Sequence, residues 1–197
     1  MTARWIALEG GEGSGKSTQA RLLADALGAV LTREPGGTAP GKAIRELLLD
    51  RSTQLDARTE ALLLAADRAE HIASVVRPPL DAGTTVVSDR SVWSSLAYQG
   101  YGRGLPIDEL WKLSDWAMAG RWPDLAVLID VPASEAAARI GGRGPADRME
   151  EAGGDFHQRV RDGFAALVSR WPDLWVVVDG IGAPDDVAAR VLAAVKR

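Results

Sequence analysis

The run Gly10-Gly11-Glu12-Gly13-Ser14-Gly15-Lys16-Ser17 fits the spacing G-x-x-x-x-G-K-[ST]. Glycines at this density let the backbone fold tightly and turn its N–H groups inward around phosphate oxygens. A helix beginning near Lys16 would add the positive end of its dipole. Lys16 is then placed to reach the β- and γ-phosphates of ATP, and the Ser17 hydroxyl to bind Mg²⁺. The whole run from Gly10 to Ser17 is therefore the candidate ATP site, with Gly11, Glu12, Gly13, Ser14 and Gly15 between its ends. A second carboxylate stands at Asp89, which closes the apolar run Val86-Val87-Ser88-Asp89. There it could hold the metal or its waters, or cap the helix that follows. A third feature is Gly141-Gly142-Arg143-Gly144-Pro145-Ala146-Asp147-Arg148. Its glycines and the charges of Arg139, Arg143 and Arg148 suit a solvated loop or a positively charged lid over residues 141–152.

These residues need a frame that presents loops at one edge. Short β-rich runs alternate with helical patterns: Trp5–Glu9, Val30–Thr32, Thr85–Ser88, Leu125–Asp130 and Trp175–Asp179. Nearly continuous apolar runs suit parallel strands buried on both faces. Between them, Ser17–Leu27 carries Leu22, Leu23, Ala26 and Leu27 at helical spacing. A longer helix is predicted from Ala57 to Val76, ending before Pro78-Pro79. The pattern predicts a single doubly wound α/β domain over residues 1–197. It is a five-stranded parallel sheet with helices on both faces and ligands at the carboxyl ends of its strands.

Composition excludes several other classes. There is no cysteine, so disulfides, iron–sulfur clusters and cysteine zinc sites are ruled out. The two histidines, His71 and His157, are far apart in sequence and are expected to be structural. With 23 basic and 27 acidic residues the net charge is −4, so no broad positive surface points to nucleic acid, and anionic ligands must be held by local arginines. No apolar run reaches membrane-spanning length, and Met1-Thr2-Ala3-Arg4 leads straight into a predicted strand without a leader's apolar region, which points to the cytoplasm. The seven tryptophans form no repeat and are expected to anchor the core or an interface.

Beyond the phosphate-binding run, further strings resemble thymidylate kinases of the bacterial type. They are Thr32-Arg33-Glu34-Pro35-Gly36-Gly37-Thr38, Asp89-Arg90 with Ser94-Ser95-Leu96-Ala97-Tyr98-Gln99-Gly100, and Asp147-Arg148-Met149-Glu150 followed by Phe156-His157. They run in the family's order over nearly the whole chain. The resemblance implies a P-loop nucleoside monophosphate kinase fold that moves the γ-phosphoryl group of Mg-ATP onto dTMP. It implies that Glu12 faces the acceptor's sugar and the space between the two nucleotides. Arg45 and Arg90 match arginines that hold the dTMP phosphate, a use suited to a planar guanidinium. Leu64 and Arg68, four apart on one helix face, match residues that stack on and hydrogen-bond the base. Ser95, Tyr98 and Gln99 belong to the same acceptor site, with Gln99 at the thymine edge.

Many family members carry an arginine just after the P-loop acid, where this chain has Gly13. The resemblance then implies that lid arginines neutralise the transferring phosphoryl group, Arg148 foremost and Arg143 second. With Lys16, Glu12 and Arg90 these make up the expected catalytic set. The resemblance also implies a homodimer built from the second and third helical segments. In those segments Leu47, Leu48, Leu62 and Leu63 could serve either an interface or the core. Leu64, Ser91 and Trp93 depart from the family pattern. Leu64 is expected to be a weaker wall for thymine than an aromatic ring, and Trp93 to pack on the surface or at a subunit contact. The rival readings are a kinase of another pyrimidine nucleoside monophosphate and a non-catalytic P-loop module that senses ATP.

Overall fold

The computed structural model describes residues 2–141 and 148–196. Five strands alternate with nine helices among these residues: β1 (Trp5–Glu9), α1 (Lys16–Leu27), β2 (Val30–Arg33), α2 (Ala39–Leu49), α3 (Ala57–His71), α4 (Arg77–Asp81), β3 (Val86–Asp89), α5 (Val92–Ser95), α6 (Ile107–Met118), β4 (Leu125–Asp130), α7 (Ala133–Ile140), α8 (Gly154–Arg170), β5 (Trp175–Asp179) and α9 (Pro184–Val195). The strands form one parallel sheet in the order β2-β3-β1-β4-β5. The chain moves from β1 to one side for β2 and β3, then to the other for β4 and β5. This reversal opens a crevice beyond the carboxyl end of β1.

Period-two alternation sends neighbouring strand residues into two separate cores. Trp5, Val86, Ala126, Leu128 and Trp175 face the side covered by α5, α6 and α8. Ile6, Leu8, Val87, Val127, Ile129 and Val178 face the side covered by α1 and α9. Only β1, β3 and β4 are buried throughout most of their length. The edge strands differ from the sequence expectation: Leu31 on β2 and Val177 on β5 are exposed, because an edge strand lacks a neighbour on one side.

The long helix also departs from expectation. It does not stop before Pro78-Pro79. From Ile72 to Val76 it widens into a π-helical stretch, and the Arg77 N–H bonds back five residues to the Ile72 carbonyl. A new first turn, α4, starts there, and in a first turn the N–H groups that proline lacks have no partner to lose.

Trp93 gives a second correction. It is neither on the surface nor at an exposed contact but 1% exposed, at the centre of a tryptophan cluster. Its ring lies 5.2–6.3 Å from those of Trp111, Trp122, Trp171 and Trp175. The tryptophans, scattered in sequence, meet because α5, α6, β5 and the turn before β5 share one face of the sheet. Trp5 is buried in the same core on β1, and Trp116 is the exposed one, at 83% on α6.

Candidate active site

The phosphate-binding run leaves β1 at Glu9 and enters α1 at Lys16. Gly13 and Gly15 sit at φ of 75° and 88°, the left-handed region that glycine enters without strain. A Cβ at Gly13 would collide with the Ala136 carbonyl of α7, so the cradle is closed by that helix as well as by its own turn. Ser14 Oγ is buried without a hydrogen-bond partner among the described residues. Lys16 is buried, with Nζ 3.4 Å from the Gly11 carbonyl and 3.8 Å from Glu12 Oε2. Burial and the nearby Arg90 charge lower its pKa, with Glu12 and Asp89 opposing. Ser17 is exposed at the mouth of the cradle.

Asp89 ends β3 beside β1, in register with Leu8. Its Oδ1 is buried and without a hydrogen-bond partner among the described residues, as a carboxylate reserved for a cation or its waters would be. No group of three or more acidic or histidine side chains able to hold a metal occurs among the described residues. Mg²⁺ does not require one, since it binds through one or two carboxylates, waters and substrate phosphates. The residues present therefore fit a magnesium–nucleotide complex.

Next to Asp89, Arg90 adopts φ 69°, a left-handed conformation costing a non-glycine residue roughly 1–3 kcal/mol. That turn points its guanidinium back over the cradle. It donates to the Gly10 carbonyl at 3.2 Å, to Ser94 Oγ at 3.0 Å, to the Tyr98 hydroxyl at 3.0 Å and to Glu12. Tyr98 in turn donates to Glu12 at 3.0 Å. Burial alone would raise the Glu12 pKa, but Arg90 and Lys16 outweigh it and hold the carboxyl at about 2. Glu12 is thus an ionised group between the phosphate cradle and the adjoining cavity.

That cavity, of about 260 Å³, collects the expected acceptor residues. Glu12, Arg45, Leu64, Arg68, Arg90, Ser95, Tyr98 and Gln99 all line it, together with Lys16, Ser17 and Asp89. Arg45 reaches the Pro35 carbonyl at 3.2 Å. Arg68, only 2% exposed, donates through Nε to Glu34 at 2.9 Å and through Nη2 to Ser95 at 2.7 Å. His71 Nδ1 lies 2.8 Å from the other Glu34 oxygen and its Nε2 lies 2.7 Å from Thr32, so this histidine is structural.

Arg148 donates to Glu60 at 2.8 Å and to the Leu48 carbonyl at 2.7 Å, which sets it against the ends of α2 and α3. Arg143 lies outside the described residues, as do the other residues of 142–147 in the expected lid. Leu48 is buried and lines the cavity, so of the leucines considered for an interface it is a wall of the site.

Three carboxylates were not singled out by the sequence. Glu34 lies in the Thr-Arg-Glu-Pro string, and it anchors Arg68 and His71. Glu60 lies four residues before Leu64 and eight before Arg68, on the same helix face; that spacing was the available signal. Glu9 is fully buried and accepts from Ser91 at 2.7 Å and Ser94 at 2.6 Å. Burial pushes its pKa up to about 7, against the lowering effect of those hydroxyls.

A five-stranded parallel sheet, a phosphate cradle at its switch point and an arginine-lined second cavity beside it define a P-loop nucleoside monophosphate kinase fold. The family model of thymidylate kinases matches residues 8–191. A thymidylate kinase from Clavibacter michiganensis is 46% identical, over 97% of this chain and 93% of its own. Another, from Carboxydothermus hydrogenoformans, is also 46% identical, over 95% and 94%. The crystal structure of thymidylate kinase from Ehrlichia chaffeensis superposes with a TM-score of 0.83 at 32% identity, covering both chains fully. The chain belongs to the thymidylate kinase family.

Proposed function

We infer that this protein transfers the γ-phosphoryl group of ATP to dTMP, giving ADP and dTDP, and that it works with Mg²⁺. The observation that carries the reading is the convergence of all eight expected acceptor residues on one cavity that opens onto Lys16, Ser17 and Asp89. A module that only senses ATP has no use for that second cavity.

The chain's own residues divide the work. Backbone N–H groups of the Gly10–Gly15 turn and the start of α1 hold the donor phosphates, and Lys16 neutralises charge at the β,γ-bridge. Ser17 and Asp89 would hold Mg²⁺, which when bound neutralises charge on the β- and γ-phosphates. Arg90 and Arg45 orient the dTMP phosphate for in-line attack, while Glu12, pinned by Arg90 and Tyr98, fixes Arg90 between the two nucleotides. Arg68, Ser95, Gln99 and Leu64 bind the base. Arg148, with Arg143, supplies positive charge to the transferring group, a role that requires it to exchange its Glu60 contact for the phosphoryl oxygens. A coupled ADP-release assay over a panel of nucleoside monophosphates at saturating Mg-ATP tests the acceptor. Turnover of dTMP far above the others is expected, and preference for another pyrimidine monophosphate would overturn the assignment.

We further propose a homodimer in the cytoplasm. No helix among the described residues is long and apolar enough to cross a membrane. Leu47, Leu62 and Trp116 are 41%, 59% and 83% exposed on α2, α3 and α6, and α3 packs against both of the others. Three large apolar side chains on adjoining helices suit a second copy of the chain. Sedimentation of Trp116→Glu should give a monomer where the unchanged protein gives a dimer; equal masses would refute this face.

A further inference from the structure

Glu9 is fully buried at the end of β1, one residue before the phosphate cradle, and none of the roles proposed above uses it. Each of its oxygens is taken by a serine hydroxyl: Oε1 by Ser91 at 2.7 Å and Oε2 by Ser94 at 2.6 Å. Ser94 Oγ in turn accepts from Arg90 Nη1 at 3.0 Å. The direction of these bonds follows from the groups themselves. A guanidinium only donates, and a serine hydroxyl has one proton and two lone pairs. Ser94 can therefore accept from Arg90 only while its own proton points elsewhere, and an ionised carboxylate, which only accepts, draws that proton away. Ser91, one of the departures from the family pattern, holds the other oxygen. It is 1% exposed and also caps α5 by accepting from the Trp93 N–H, so it clamps the carboxylate to the turn that carries Arg90. That turn needs a clamp, since Arg90 at φ 69° has a conformation that persists only where its surroundings over-determine it.

We propose that Glu9 is a positioning residue for the acceptor phosphate: through Ser94 it presents a lone pair to Arg90 and so fixes the plane in which the guanidinium meets the phosphate of dTMP. Glu12 and Tyr98 hold Nη2, whereas Nη1 rests on Ser94 and the Gly10 carbonyl. Without the relay the Nη1 side loses one of its two acceptors, and the fork is free to turn about Nη2. Glu9 is too deeply buried to meet the substrate and acts only through its neighbours. The inference rests on Arg90 holding the dTMP phosphate.

The test measures the dissociation constants of dTMP and of thymidine, which is dTMP without its phosphate. Titration calorimetry is run at about pH 8, above the Glu9 pKa of about 7, so that the carboxylate is ionised. Glu9→Met removes both acceptors with a side chain of similar length, and Ser94→Ala removes the relay. In each variant dTMP should bind at least about fivefold more weakly, the scale of one hydrogen bond, while thymidine stays within about twofold. A Glu9 that only filled the core would weaken both ligands by the same factor, and that result would overturn the proposal, as would unchanged binding of both. Arg90→Met separates the proposal from the reading beneath it. This variant should bind dTMP weakly, and adding Glu9→Met to it should change the constant by less than about twofold. A further loss as large as that of Glu9→Met alone would show that Glu9 acts without Arg90, against the proposal. If Arg90→Met bound dTMP like the unchanged protein, the placement of the phosphate on Arg90 would fall, and the proposal with it. If Glu9→Met does not fold, Ser94→Ala and Ser94→Thr decide. Threonine keeps the hydroxyl and should restore dTMP binding; a threonine variant as weak as the alanine one would sink the relay.

Discussion

Replacing Leu64 by phenylalanine should tighten dTMP binding. Leu64 is half-buried on α3, and the other apolar side chains lining the 260 Å³ cavity are Pro35, Leu48, Leu49 and Met149, with Tyr98 the only aromatic lining it among the described residues. A leucine contributes apolar contact to the base but no π-face. A phenyl ring adds three carbons on the cavity side, and stacking of aromatic rings contributes about 0.5–1.5 kcal/mol beyond area burial. That range corresponds to about a two- to tenfold lower Kd. The competing idea, that Trp93 already fills this space, does not survive its position in the tryptophan cluster. Trp93 does not line the cavity, so a ring at position 64 has no indole to strike. Titration calorimetry of dTMP into the folded variant checks the gain, and kcat should change little because the contact is equal in ground and transition states. Trp93→Ala is the control: removing a fully buried indole should cost about 3–5 kcal/mol of stability while leaving dTMP affinity of the folded protein intact. Weaker dTMP binding by a folded Leu64→Phe protein would refute the reasoning.

Lys16→Ala should nearly abolish transfer from Mg-ATP to dTMP while circular dichroism remains native; a folded variant keeping most of its kcat would place the phosphate cradle elsewhere. Arg148→Ala should lower kcat at least about tenfold and more than it raises KM for dTMP, since phosphoryl charge develops in the transition state. A change in KM alone would confine Arg148 to the acceptor wall, where it meets Glu60. Glu9 sets a pH dependence of stability. Its folded pKa of about 7 lies above the unfolded value of 4.5, so its contribution is intact below pH 4.5 and is lost as pH rises through 7. At about 1.4 kcal/mol for each pKa unit the loss is roughly 3 kcal/mol. Urea unfolding should therefore show the unchanged protein losing about that much relative to Glu9→Gln between pH 4.5 and 7.5. Parallel pH profiles of the two proteins would show that Glu9 does not hold its proton in the folded state.

Much of this molecule can be read along the chain, because the relevant physics is local. The phosphate cradle is one contiguous turn whose glycines and lysine must be neighbours, and the five strands announce themselves as apolar runs a few residues long. Pairs such as Leu64 with Arg68 and Ser95 with Gln99 follow from helical spacing alone. What spacing could not show are groups whose meaning depends on distant partners. The π-helical widening before Pro78 is a packing outcome that no proline rule anticipates. Trp93, Trp111, Trp122, Trp171 and Trp175 look scattered until the sheet brings their elements to one face. Glu34 and Glu60 read as ordinary helix or loop charges. They become organising groups only because burial leaves their oxygens no water, so each must take its donors from residues 34 to 88 positions away or lose its hydrogen bonds. The order of glycines and lysine alone marked Gly10–Ser17 as the candidate phosphate cradle. Which buried carboxylate faces which side chain around the adjoining cavity follows only from the packing of elements far apart in the chain.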